Sequence, residues 1–169
     1  YMIANMLSVR RSLEHANEKR REMEKANERL LEKSETDPLT RLANRFRLND
    51  YLERAFERTR DDHRAFAVEI LDIDYFKEYN DNYGHQAGDA CIVAIADELR
   101  KMQSHDTFCA RYGGDEFIII YEYKTEDEVF SMADSLRERI LDRRIEHVCS
   151  KALPVVTISQ GICFDVAPE

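Results

Sequence analysis

The sequence has no excess of basic residues: Lys and Arg number 25 against 34 Asp and Glu, a formal net charge of −9. No global positive field therefore attracts nucleic acid or anionic lipid, and any phosphate ligand has to be held by local groups and cations. An apolar run of membrane-spanning length is also missing, as is a signal peptide, so this segment neither crosses a bilayer nor makes direct contact with one. Cys91, Cys109, Cys149 and Cys163 show no CxxC spacing, and the first, second and fourth sit in apolar stretches. They read as reduced thiols of a cytoplasmic protein, those three in its core. Repeats and low-complexity tracts are absent, and between Met2 and Ser34 there is neither Gly nor Pro. Tyr1 stands where an initiator Met would, which is expected of a fragment whose parent is free to carry a membrane anchor upstream.

What is present is 169 residues with 43% hydrophobic content, enough for one domain plus an appendage. The Gly- and Pro-free opening predicts a long helix over residues 1–35. Met2, Val9, Ala16, Met23 and Leu30 recur every seven residues, and Met6, Leu13, Arg20, Asn27 and Ser34 form a companion row. Two such rows make a coiled-coil seam, and the polar Arg20 and Asn27 in it predict a weak, adjustable parallel homodimer. The other reading is a single solvated helix.

Pro38 disfavours helix at Asp37 and suits the first turn of a new one, which predicts a hinge and then a helix over roughly residues 38–60, opening a globular domain over 36–169. "AFAVEILDID" predicts a strand over 65–74, followed by a helical turn, a loop at Gly84 to Gly88 and a long amphipathic helix. Gly113-Gly114 between "FCARY" and "FIII" predicts a hairpin with that pair as its turn. A helix over 126–145 and a strand over 153–164 complete the order. The fold class is α/β (α+β): a mainly antiparallel central sheet flanked by helices, preceded by the long N-terminal coiled-coil helix.

The chemistry concentrates at strand ends. Asp72 and Asp74 are two apart and share a face, and if the hairpin lies beside their strand, Asp115 or Glu116 joins them. Carboxylates that close repel one another unless a cation separates them, and hard oxygen donors of this kind suit Mg2+ or Mn2+. Solvated acids at a tight turn are the plainer alternative. Amides of a short helix opening near Tyr75, with Lys77, would face phosphates. Asn80 and Asp89 have the donors and acceptors that guanine requires, with His85 between them, although each taken singly also suits a turn or a cap.

"DPLTRLANR", "DIDYFKEYNDNYGHQAGD", "RYGGDEF" and "TISQG" together resemble the GGDEF domain of bacterial diguanylate cyclases, over about residues 36–164. The resemblance implies a palm-like nucleotide cyclase core in which two GTP molecules, one on each subunit of a dimer, condense into cyclic di-GMP with release of pyrophosphate. It implies metal binding by Asp72, Asp115 and the Ile73 carbonyl, and help with loss of the 3'-hydroxyl proton from Asp115 beside Glu116. It further implies guanine recognition by Asn80 and Asp89 with His85 nearby, and phosphate binding by Lys77 and the amides of Tyr75 and Phe76. Gly113 and Gly114 would leave room for the triphosphate, and an upstream sensor would act through the helix. Two departures stand out. The family's inhibitory RxxD pattern falls here on Ser104 and Thr107, so product inhibition through it is not expected. The helix and strand that supply a further Lys and Arg lie beyond Glu169, so the domain reads as truncated, with weakened phosphate binding. The competing class is a binding module that holds GTP or cyclic di-GMP without turnover.

Overall fold

The computed structural model describes residues 2–33, 35–61 and 64–166, with side chains described from Arg10 onward except at 11, 12, 27–29, 31–33 and 166. The chain divides into two units, Tyr1–Glu35 and Thr36–Glu169. The first is the helix α1, Met2–Lys33. Of the two heptad rows, Leu13, Met23 and Leu30 are exposed by 59%, 67% and 66%. The side chains of Met2, Met6, Val9 and Asn27, and the whole of Ser34, lie outside the described residues.

The second unit runs α2 (Arg45–Asp61), β1 (Ala65–Ile73), α3 (Phe76–Tyr83), α4 (His85–Met102), β2 (Thr107–Gly113), β3 (Glu116–Glu122), α5 (Glu126–Asp142) and β4 (Ile158–Val166). The strands form one sheet in the order β2-β3-β1-β4, and every neighbouring pair is antiparallel. Alternation along β1 gives the sheet its two faces. Ala67, Leu71 and Ile73 join Cys109, Phe117, Ile119 and Tyr121 against the apolar faces of α4 and α5, through Ile92, Ile95, Leu99, Leu136 and Ile140. On the other face Phe66, Phe108, Ala110 and Ile120 pack against Leu48 and Ala55 of α2. The architecture is thus the expected antiparallel sheet with helices on both sides.

Polar clamps fix the layers. Glu122 on β3 accepts from Tyr51 Oη (2.5 Å) and Arg58 Nη2 (3.0 Å) of α2. Glu98 on α4 is buried between Lys101, Arg139 and Arg143, which ties α4 to α5. Glu69, buried in the core, accepts from Tyr121 Oη and Gln160 Nε2, both at 2.6 Å; burial pushes its carboxyl up, and these two donors offset part of the rise. Thr125 and Glu128 form a reciprocal capping box that starts α5.

Several boundaries differ from the sequence expectation, each for a local reason. Residues 38–44 are not helical: Asp37 accepts from Thr40 N–H and Oγ1, which closes a turn, Arg41 is left-handed (φ 62°), and Asn44 supplies the cap of α2 by accepting from Arg47 N–H. The expected Gly84–Gly88 loop shrinks to Gly84, and Gly88 lies within α4. The hairpin turn is Gly114-Asp115 rather than Gly113-Gly114, because an irregularity between Arg111 and Gly113 shifts the register so that Gly113 pairs with Glu116. Left-handed Arg144 (φ 48°) ends α5 early, and β4 begins at Ile158 because the residues before it fold as a loop. Cys163 is exposed, not core: it pairs with Val68 on the face that α2 covers only in part, as the 53% exposure of neighbouring Ile70 attests. Cys91 and Cys109 are buried, and burial pushes their thiols up to about 11 and 12.

Candidate active site

β1 delivers Asp72 one residue before its end, directly opposite Glu116 of β3 and Ser159 of β4. It lies on the side of the sheet shared with Ile70, beyond the reach of α2. Asp115 occupies the hairpin turn and Glu116 the first position of β3. Burial first, and then the charges of Asp115, Glu116 and Asp74, push the Asp72 carboxyl above the usual carboxylate range. The charge contribution to that rise reflects acids brought near one another. Asp74 is otherwise engaged: its carboxylate accepts from Thr157 Oγ1 (2.6 Å) and Ser159 Oγ (2.5 Å). It anchors the turn after β1 to β4 while its charge still acts on Asp72.

A divalent cation is the group this donor set fits, because a positive charge beside Asp72 and Asp115 offsets both the burial and the like charges that raise Asp72. Among the described residues no three His, Cys, Asp or Glu side chains close around one point. A site of two carboxylates and one carbonyl does not require a third side chain, since Mg2+ keeps several positions for water and phosphate oxygens. The Ile73 side chain is buried in the core, leaving only its main chain to serve such a site.

The hairpin tip is held from below. Arg111 donates through Nε (3.0 Å) and Nη2 (2.7 Å) to the Gly114 carbonyl and through Nη1 (3.1 Å) to Asp37 Oδ1. Burial raises the Asp37 carboxyl, but donation from Thr40 and Arg111 outweighs it and holds the group below its ordinary value. Gly114 is left-handed (φ 54°), and a Cβ on either Gly113 or Gly114 would meet nothing within 4 Å, so both leave open space at the tip. Arg111 and the Thr157/Ser159 pair were not singled out in the sequence. Both lie inside motifs that were, but their partners are distant in the chain.

α3 begins immediately after Asp74 with Tyr75 in the left-handed region (φ 55°, ψ 33°) and no side-chain cap. Lys77 is exposed on its first turn, and Phe76 is buried beneath it. Asn80 lies on α3 and Asp89 on α4, both on helices rather than in a loop, and His85 is the exposed first residue of α4. Gly88 seats α4 against α3: a Cβ there would stand 1.9 Å from Asn80 Oδ1 and 3.3 Å from the Phe76 ring. Among the described residues Asn80 Oδ1 is buried without a hydrogen-bond partner, an arrangement proteins generally avoid unless water or a ligand supplies the donor. A groove of about 460 Å³ between α4 and α5, lined by Lys101, Met102, Ser131, Met132, Ser135 and Arg139, contains none of these residues. The candidate site is therefore defined by the strand-end acids and the α3 segment that follows them, and not by cavity size. Of the positions where the RxxD pattern would fall, Thr107 is buried at the start of β2 and Ser104 donates to Asp106.

Comparison with known proteins identifies the family of this fold. The family described as diguanylate cyclase, GGDEF domain, matches residues 34–168. A bifunctional diguanylate cyclase/cyclic di-GMP phosphodiesterase of Pseudomonas aeruginosa, MucR, is 41% identical over 105 residues, covering 62% of this chain and 15% of that protein. The diguanylate cyclase DgcP of the same organism is 39% identical over 109 residues, 64% of this chain and 16% of that one. The chain thus spans about a sixth of the length of these relatives. The solved coiled coil and GGDEF domain of DgcB from Caulobacter crescentus, in complex with c-di-GMP, superposes with a TM-score of 0.72 at 28% identity, covering 94% of this chain and 83% of that one. With the family match spanning most of the sequence, the chain belongs to the GGDEF family of diguanylate cyclase domains.

Proposed function

We propose that this protein is a diguanylate cyclase that condenses two GTP into cyclic di-GMP and two pyrophosphates. The observation that carries the reading is the pairing of Asp72 on β1 with Glu116 at the foot of the hairpin whose turn holds Asp115; burial first, and then these charges, raise Asp72 and favour a bound cation. Asp72, Asp115 and the Ile73 carbonyl would hold Mg2+, or Mn2+, which when bound neutralises triphosphate charge and polarises the oxygens around the α-phosphorus.

The chain's own residues orient the reaction. In each step a 3'-hydroxyl oxygen forms a bond to the α-phosphorus of the other GTP, the bond to the β-phosphate oxygen breaks, and pyrophosphate leaves. Asp115, with Glu116 beside it, takes up the hydroxyl proton. Lys77 and the amides of Tyr75 and Phe76 bind phosphates, and the space over Gly113 and Gly114 admits the triphosphate backbone. Asn80 and Asp89 read guanine near His85. Among the described residues Asn80 Oδ1 has no donor, which supports this role, because an N–H of the base would satisfy it.

One site holds one GTP, so closure of the ring requires two sites face to face. The exposed Leu13, Met23 and Leu30 on α1 support a homodimer through that helix, under the control of an upstream sensor. No helix among the described residues is long and apolar enough to cross a membrane, and consumption of GTP suits a cytoplasmic setting for the domain.

The test is incubation with GTP and Mg2+, with cyclic di-GMP and pyrophosphate resolved by chromatography, beside an Asp115→Ala control. Product that the substitution abolishes supports the cyclase. Saturable GTP binding without product would make the protein a receptor.

A further inference from the structure

We propose that His147, on the loop between α5 and β4, is a positioning residue that aims the Phe76 amide at the phosphates. This rests on the reading of the α3 opening as a phosphate-binding turn. His147 is fully buried, and its Nε2 lies 3.1 Å from the Tyr75 carbonyl oxygen. A carbonyl only accepts, so the Nε2–H tautomer is the one that makes this bond. The ring stands edge-on to Tyr79, with centroids 5.1 Å apart and planes at 87°. Among the described residues its Nδ1 is enclosed without a partner, so the ring's hydrogen bonding there is directed at Tyr75.

Tyr75 needs such support. It is a bulky residue in the left-handed region with no side-chain cap, a conformation that persists only where its surroundings hold it. Its carbonyl accepts from two donors, Tyr79 N–H at 3.0 Å and His147 Nε2. The peptide unit joining Tyr75 to Phe76 is planar and trans, so its C=O and N–H point in opposite directions. Fixing the carbonyl inward, on Tyr79 and His147, fixes the Phe76 N–H outward, where a phosphate oxygen can accept from it.

The loop that carries His147 is itself built as a rigid support. His147 N–H donates to the Pro154 carbonyl, Ser150 N–H to the His147 carbonyl, and Val156 N–H to the Ile145 carbonyl. From this loop Val148 N–H reaches Tyr83 Oη at the far end of α3 (3.1 Å), and the Thr157 carbonyl accepts from Asp74 N–H (3.0 Å). Both ends of the 74–83 segment are therefore moulded on the residues before β4, with His147 at the turn itself.

The experiment compares wild type, His147→Phe, which retains a ring against Tyr79 but has no donor, and His147→Gln, which restores a donor. Affinities for GTP and for guanosine are measured by calorimetry in Mg2+, with thermal melts as the check on folding. The expected result is a loss of about tenfold in GTP affinity for His147→Phe, guanosine affinity within twofold of wild type, and recovery of most of the GTP affinity in His147→Gln. Unchanged GTP affinity in His147→Phe, or equal loss for both ligands, overturns the proposal. Should His147→Phe not fold, the wild type still decides: the Phe76 amide resonance is expected to shift with GTP and not with guanosine, and the His147 Nε2–H proton to exchange slowly. A Phe76 amide indifferent to GTP, or a rapidly exchanging Nε2–H, refutes it. Wild type that binds no GTP at all sinks the diguanylate cyclase reading instead, a distinct outcome.

Discussion

At the scale of single residues, the hairpin tip depends on Arg111. Its guanidinium joins the Gly114 carbonyl to Asp37, so Arg111→Ala frees the turn that carries Asp115 and leaves Asp37 half-buried without its cation. We expect a loss of about 1–3 kcal/mol in stability by urea melts and at least tenfold in turnover. Acid stability follows from the same kind of contact. At Asp106, burial raises the carboxyl, but donation from Lys124 and Ser104 outweighs it and lowers the group from 3.8 to about 2. A folded-state value below the unfolded one contributes stability that is present above about pH 4 and is lost as the pH falls towards 2. Asp37 is lowered too and has the same sign. Urea midpoints should therefore drop steeply between about pH 4 and 2, and Asp106→Asn should flatten that drop by roughly 1–2 kcal/mol. The acids of the site were legible in the sequence because they sit at strand ends within a dense motif. The Arg111–Asp37 contact was not, since it joins residues 74 positions apart and neither carries a periodic signal.

At the scale of elements, the instructive residue is Gly88. Gly inside a helix costs roughly 1 kcal/mol relative to Ala, so Gly88→Ala would stabilise a free helix. Here the added methyl would stand 1.9 Å from Asn80 Oδ1 and 3.3 Å from the Phe76 ring, so the Asn80 side chain has to turn out of its place, which offsets the gain in propensity. The expected outcome is a net change in stability within about 1 kcal/mol and, because Asn80 is displaced, at least tenfold weaker GTP binding by calorimetry. A rise in melting temperature with GTP affinity intact would show that α3 and α4 need not approach so closely. The same glycine explains why a loop was expected where a helix stands. Glycine marks both flexible loops and close packing, and only the tertiary contact tells the two apart. The hairpin turn slipped by one residue for a related reason. The Gly pair suggests a turn, but the irregularity after Arg111 decides which residues occupy it. By contrast, β1, α4 and the hairpin strands were readable as elements, because long apolar stretches at strand or helix period leave few alternatives.

At the scale of the whole molecule, the account requires two domains to meet. Replacing exposed Leu13 and Leu30 of α1 with Glu leaves the Thr36–Glu169 unit untouched and puts like charges on the proposed dimer seam. Sedimentation should then report a shift from dimer to monomer, and turnover per protomer should fall at least tenfold at low concentration while GTP affinity holds. Full activity in a monomeric variant would remove the helix from the mechanism. The heptad rows were visible in the sequence, whereas the strength of such a seam depends on a partner helix and cannot be read from one chain.

The most direct test of the central claim is to measure melting temperature and turnover on the same preparation of Asp72→Asn. Asp72 faces Glu116 across the strands and lies within the field of Asp115, and a like-charge cross-strand pair costs roughly 0.2–1 kcal/mol. Removing one charge should raise the melting temperature by about one to a few degrees in the absence of nucleotide and metal. It should lower cyclic di-GMP formation by at least a hundredfold. A variant that is more stable and inactive identifies the carboxylates as a reaction centre maintained at a cost to the fold. A variant that retains turnover, or is inactive only because it has lost its fold, would contradict the account.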